Sequence, residues 1–265
     1  MLKVFVVFHE RLRPGCYEAL DADEFDMLTF VAVNPSVQKT YDETRFTRVI
    51  REWELPVYDP TLQERGYCEN SVLWHAHLNN LYSPGDRVLF LQWDMALEKG
   101  AIRNAEILSR GAPTTCVRAG WGHFEVYFSR NEHTMSLLSE ICNSFQDAFG
   151  MPVLFGETLY PLNNAYVLEG AALSAVVEWA MTLREVVEAG CADPAPWSHL
   201  GPSYVWKRVG VVYEHVMALA LGCLFPRDTW NFVFPGVWHP ASHTAAETPP
   251  AILEAVGTDL GCGFK

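Results

Sequence analysis

Short apolar runs alternate with helical periodicities through the first half of the chain. Runs of strand type span Val4 to Phe8, Met27 to Val33 and Val88 to Trp93, each rich in β-branched or aromatic residues and closed by polar or turn residues. Between the second and third, RGYCENSVLWHAHLNNLY repeats Val72, His75, Leu78 and Asn79 at helical spacing ahead of an SPGD turn. After the third, KGAIRNAEILSRG reads as a helix closed by Gly111. Strand and helix in alternation predict crossover connections, and so an α/β fold with a largely parallel sheet covered on both faces.

The second half is more helical. MSLLSEICNSFQDAFG places Met135, Leu138, Ile141, Cys142, Phe145 and Phe149 on one face and stops at Gly150. LEGAALSAVVEWAMTLREVVEAG repeats the pattern through Leu168, Ala172, Ala175, Trp179, Leu183 and Val186, and a third helix is predicted from about Tyr204 to Leu221. No internal repeat and no linker divides the chain, so a single domain over 1–265 is expected, with the tail after Trp238 on the surface.

Composition narrows the classes. An apolar fraction of 49% over 265 residues supplies a sizeable core. A net charge of −13 with no basic run longer than two residues argues against a general nucleic-acid surface, while leaving room for a local phosphate pocket. Seven scattered cysteines without a CxxC pair indicate neither a disulfide framework nor a zinc knuckle, so reduced thiols and a cytoplasmic location are expected. The apolar core of MLKVFVVFHER is too short for a signal peptide, and Glu214 and His215 interrupt the longest apolar stretch, so no transmembrane segment is predicted.

The third strand ends on Gln92-Trp93-Asp94. In open α/β sheets ligands collect beyond the carboxyl ends of strands, where His9 and Asn34 also fall after the first two strands. A carboxylate there is either a helix cap or a metal ligand. Beside it Trp93 offers a stacking surface and Gln92 a bidentate amide, and magnesium or manganese is commonly held by one or two carboxylates and substrate phosphates. The combination suggests a nucleoside-diphosphate ligand. His75 and His77 fall on different faces of a helix and make a poor metal pair, and His215 beside Glu214 reads as a core polar group.

The order VFVVFHE, VAVNPSVQK, LQERGYCENSVLWHAHLN and RVLFLQWDM resembles the N-terminal half of small GT-A-type glycosyltransferases of large DNA viruses and some bacteria. It is more distantly similar to capsule-type glycosyltransferases with a YCEL helix. The resemblance covers roughly residues 3 to 97 and, more loosely, GETLYPLNNAYVLEG from 156. It implies a GT-A-like, Rossmann-like sheet, with 1–110 as the nucleotide-sugar half and 111–265 as the acceptor side. QWD then stands in place of the Asp-x-Asp motif, with Asp94 and a C-terminal histidine, His239, holding a divalent ion, and Gln92 departing from the pattern. Phe8 and His9 would meet the base, Lys39 a phosphate, Glu69 the nucleotide sugar, and Trp93 and Asn34 would line the same site.

Glycosyl transfer needs a stabilised oxocarbenium-like centre, a neutralised leaving diphosphate and, for inversion, a carboxylate base. Glu157, among Thr158, Tyr160, Asn163 and Asn164, is the candidate base or acceptor-binding carboxylate, with Glu169 and Asp228 as competitors. The expected function is transfer from a nucleotide-diphosphate sugar, most simply a uridine one, to a glycan or glycoprotein, with Mn2+ or Mg2+ assisting. A nucleotidyltransferase and an inactive, carbohydrate-binding relative are the alternatives. No GxxxxGK[ST] or GxGxxG motif favours a P-loop or dinucleotide enzyme.

Overall fold

The computed structural model describes residues 1–9, 12–35, 41–115, 118–119, 121–153, 160–161, 165–225, 229–230 and 237–238. Its strands are β1 (Leu2–Phe8), β2 (Leu28–Ala32), β3 (Val49–Arg51), β4 (Arg87–Gln92), β5 (Ala96–Leu97), β6 (Thr114–Thr115), β7 (Arg118–Ala119), β8 (Tyr160–Pro161), β9 (Tyr166–Glu169) and β10 (Val237–Trp238). Its helices are α1 (Ala22–Met27), α2 (Pro60–Glu64), α3 (Asn70–Leu78), α4 (Ala101–Leu108), α5 (Trp121–Phe128), α6 (Glu132–Phe149), α7 (Gly170–Thr182), α8 (Arg184–Gly190), α9 (Pro202–Val205) and α10 (Arg208–Leu224).

Six strands form the main sheet in the order β3-β2-β1-β4-β9-β6. The pairs β3-β2, β2-β1 and β1-β4 are parallel, while β9 runs antiparallel to both β4 and β6. The fold is therefore α/β with a mostly parallel sheet flanked by helices. Strands β6 and β9 come from the second half of the chain, so both halves share one sheet. From Val4 to Phe8 every residue of β1 is buried, as covering on both faces requires.

Glu24 fixes the approach to the end of β4. Its carboxylate is fully buried and accepts from the backbone N–H groups of Gly100 at 2.8 Å, Ile102 at 3.1 Å and Arg103 at 3.3 Å, the otherwise unmatched donors at the start of α4. Arg103 returns to Asp21 on the same short segment at 3.0 Å. The turn from Trp93 to Gly100 is thus tied at its far end to α1.

Several boundaries differ from expectation for identifiable reasons. Helix α4 stops at Leu108 with Ser109 as its cap, and Gly111 lies beyond it. Leu168 belongs to β9, because Gly170 and Ala171 give their N–H groups to the carbonyls of Asp86 and Pro84, starting α7 two residues later. A Cβ on Gly170 would come within 2.2 Å of Ser83 O, so only glycine permits that approach. The predicted long helix breaks at Leu183, and its buried side runs through Leu173, Val176, Val177 and Ala180 rather than Ala172 and Ala175. The third helix divides into α9 and α10.

Helix α6 follows its pattern closely. Asn131 caps the start by accepting from Thr134 N–H at 3.0 Å, and Gly150 ends it at φ +65°. The buried stripe begins at Thr134, whose hydroxyl donates to Phe128 O at 2.6 Å, so Met135 turns outward to solvent. Among the described residues no helix is long and apolar enough to cross a membrane.

Replacing Glu24 with Ala leaves three N–H donors without their acceptor, that of Ile102 buried, and should cost about 3 kcal/mol in urea unfolding, with Glu24→Gln losing less because one acceptor oxygen survives. An unchanged unfolding midpoint for Glu24→Ala would contradict this role.

Candidate functional site

Parallel neighbours β2, β1 and β4 end on one edge of the sheet. Val33 N–H donates to Phe8 O at 3.1 Å and Trp93 N–H to Val7 O at 3.0 Å, so His9, Asn34 and the Gln92–Asp94 segment emerge side by side. Asn34, Gln92 and Asp94 are half-buried. This is the edge at which open α/β sheets present ligands.

His9 is the centre of the group. Its Nδ1 lies 2.8 Å from Glu69 Oε1, and its ring meets Trp93 edge-on at 5.8 Å between centroids. A third of the His9 side chain is exposed against 17% of Glu69. Burial alone would raise the Glu69 pKa, but the His9 hydrogen bond and charge, a backbone hydrogen bond and the Lys207 charge together hold it below the usual carboxylate range. Glu69 is therefore an ionised carboxylate that fixes the His9 ring.

A tight loop delivers Glu69. Gly66 adopts φ +78°, where its Cβ position lies 2.9 Å from Trp206 O, and Cys68 is held at φ +53°, a conformation costing an L residue about 1 kcal/mol. At the start of α10, Gly210 donates to Gly66 O at 3.0 Å while its carbonyl accepts from Asn70 Nδ2 at 3.0 Å. A Cβ on Gly210 would come within 2.7 Å of Gly66 O, so the loop presses on α10 through a glycine. Burial, reinforced by Glu69, pushes the Cys68 thiol up to about 12, which rules it out as a neutral-pH nucleophile.

Trp93 is buried and fixed from two sides. Tyr17 donates its hydroxyl to Trp93 O at 3.1 Å, and the Arg13 guanidinium lies 4.8 Å from the centroid of the indole ring. Asp94 sits near the same segment. Burial first, then Asp94 among other charges, raises Tyr17, and burial takes Cys16 up to about 12, with Arg13 opposing and Asp94 adding.

Among the expected site residues, His9, Asn34, Glu69, Gln92, Trp93 and Asp94 share this edge or pack against it. Phe8 is fully buried with its ring edge-on to Tyr41 at 5.4 Å, because β1 is covered on both faces. Lys39, Glu157 and His239, like Asn163, Asn164, Asp228 and the tail beyond 238, lie outside the described residues. Among the described residues no group of three or more His, Cys, Asp or Glu side chains could hold a metal ion. Of the two expected metal ligands, Asp94 lies at this edge and His239 lies outside the described residues.

Two cations not read as site residues from the sequence adjoin this group, Arg13 against Trp93 and Lys207 beside the Gly66 loop. Arg13 follows the first strand in HERLRPG, and Lys207 belongs to the sole pair of adjacent basic residues in the chain, Lys207-Arg208. Local basic density against a net charge of −13 is the signal that would have found them.

The histidines set aside in the sequence are structural. His75 gives Nδ1–H to buried Glu52 at 2.6 Å and accepts from Asp59 N–H at Nε2 at 2.9 Å, which defines a neutral ring. Ser71 and Gln63 also donate to Glu52, whose pKa burial raises. His77 faces Glu178 instead, at 3.3 Å. His215 donates to Val211 O at 2.7 Å inside a cage of Phe124, Tyr127 and Phe128.

No family model matches the chain, and no curated protein matches it in sequence. Among solved structures, the apo form of the bifunctional glycosyltransferase WbbM superimposes on 87% of this chain with a TM-score of 0.59 and 9% identity. The matched part is 44% of that chain, so this chain spans less than half of the length of the protein it resembles. At that identity the likeness is one of fold.

A depressed Glu69 pKa contributes stability above the ordinary value of about 4.3 that is lost as the pH falls through the lowered folded value. The stability gap between the native protein and Glu69→Gln should accordingly be widest near neutrality and close below about pH 4. Urea midpoints across that range test it, and a gap independent of pH would contradict it.

Proposed function

We propose that this protein is a glycosyltransferase acting on a nucleotide-diphosphate sugar, with its reaction centre at the carboxyl edge of β1, β2 and β4. The observation that carries this reading is the convergence there of the His9–Glu69 pair, the fixed Trp93 indole, and the amide and carboxylate of Gln92 and Asp94. The shared fold with a glycosyltransferase structure supports it. The GT-A-like order of motifs points the same way.

Transfer forms a bond from an acceptor hydroxyl oxygen to the anomeric carbon, breaks the bond from that carbon to the diphosphate oxygen and moves the hydroxyl proton. In this reading His9 handles the proton. Glu69 stabilises the imidazolium so formed and keeps the ring oriented, as a carboxylate behind a histidine does in other general-base pairs. Gln92 and Asn34 present amides suited to ribose or sugar hydroxyls, and Asp94 contacts the donor near its diphosphate. Glu157 keeps its proposed place on the acceptor side. The glycan class of acceptor follows from the same reading.

The test is a thermal-shift panel of UDP, GDP, CDP and ADP, followed by release of the free diphosphate from the matching nucleotide sugars. A ligand at roughly 100 times its dissociation constant should stabilise the fold by about 2.7 kcal/mol. His9→Gln should keep the shift while slowing release by roughly 100-fold, and Asp94→Asn should lose release with little loss of folding. No shift with any nucleotide and no release from any nucleotide sugar would overturn the reading.

A further inference from the structure

Seven arginines of the described chain, Arg87 and Arg184 among them, are held by carboxylates within ion-pair distance. Arg13 and Lys207 are not. Both are half-buried, and each lies against an aromatic ring: Arg13 at 4.8 Å from the Trp93 centroid, Lys207 at 4.9 Å from that of Tyr204. Among the described residues neither has a carboxylate at ion-pair distance, in a chain with 32 acidic and 19 basic side chains.

Their places in the fold are linked. Arg13 covers Trp93, Trp93 meets His9, His9 binds Glu69, and the Lys207 charge reaches Glu69 and Cys68. Arg13 thus reaches the His9–Glu69 pair through Trp93, and Lys207 lies beside the loop that delivers Glu69, its Cα 3.3 Å from the Cβ position of Gly66. Cations partly withdrawn from water and left without carboxylates are poised to exchange hydration for an anion. A planar guanidinium matches phosphate oxygens bidentately, and an ammonium adds a point charge.

We infer that Arg13 and Lys207 form a cationic seat for the diphosphate of the ligand beside the His9–Glu69 pair, so that side chains of this chain receive the leaving group. The inference rests on the nucleotide-sugar reading and adds to it the residues that receive the leaving group. In the transfer step the electron pair of the broken carbon–oxygen bond stays on the diphosphate oxygen, where the two cations stabilise the added charge.

Calorimetric titration with inorganic pyrophosphate in excess EDTA, on the full chain, tests the seat without reference to base or sugar. The native protein should bind pyrophosphate, and the diphosphate selected by the thermal-shift panel should compete with it. Arg13→Gln and Lys207→Gln should each weaken binding roughly tenfold, Arg13→Lys less, and Lys99→Gln not at all. The variants should stay folded, with urea midpoints lowered only as far as the loss of one ring contact accounts for. Absence of pyrophosphate binding in EDTA, or affinities of both glutamine variants within about twofold of native, would overturn the seat. If nucleotide sugars are still turned over in that case, the glycosyltransferase reading stands without it; if no nucleotide binds under any condition, both fall.

Discussion

Strand β1 is hydrogen-bonded on both sides, to β2 with Phe8 opposite Ala32 and to β4 with Val7 opposite Gln92, and this register levels the three carboxyl ends. A slip of one residue would move every side chain of β1 to the opposite covered face, so that both sides of the core would have to repack. The register is therefore held by the core, and the positions of His9, Asn34 and Asp94 follow from it. Connecting loops then need only short reaches to complete a site. Glu69 arrives from α3 through the Gly66–Cys68 turn, and Arg13 arrives from the segment after β1.

Three glutamates, Glu24 and Glu52 buried and Glu69 half-buried, show how the chain assigns charge. Glu24 is satisfied by backbone N–H groups at a helix start and fixes the turn that follows Asp94. Glu52 is surrounded by side-chain donors including a neutral His75, and its raised pKa reflects burial. Only Glu69 is placed against a partly exposed histidine and held ionised. The same residue type thus serves capping, core cross-linking and orientation of a reactive ring, according to what faces it. That contrast singles out the His9 edge from the other polar clusters.

The strands and most helices were legible because their apolar residues recur at the periods that burial demands, as in Val4 to Phe8 and in the α6 stripe closed by Gly150. The start of α7 was not, because it depends on contacts with the distant Ser83–Asp86 turn, which no local pattern records. The edge residues His9, Asn34 and Asp94 could be read from strand ends alone. The pairing of His9 with Glu69, sixty residues away, could not, since it is created by packing of the Gly66 loop on Gly210. The burial of Phe8 was not legible, because a strand-end aromatic looks the same in sequence whether it faces a ligand or the core. Arg13 and Lys207 were hidden by judging charge over the whole chain instead of locally.

The most direct measurement is a side-chain NMR titration that follows the histidine ring and tryptophan indole signals as the nucleoside diphosphate is added. Docking at the carboxyl edge of β1, β2 and β4 requires saturable shifts of His9 and Trp93, with the signals of buried Trp197 and of the core His215 unmoved. Shifts that leave His9 and Trp93 unchanged while the nucleotide binds elsewhere would contradict a reaction centre at this edge.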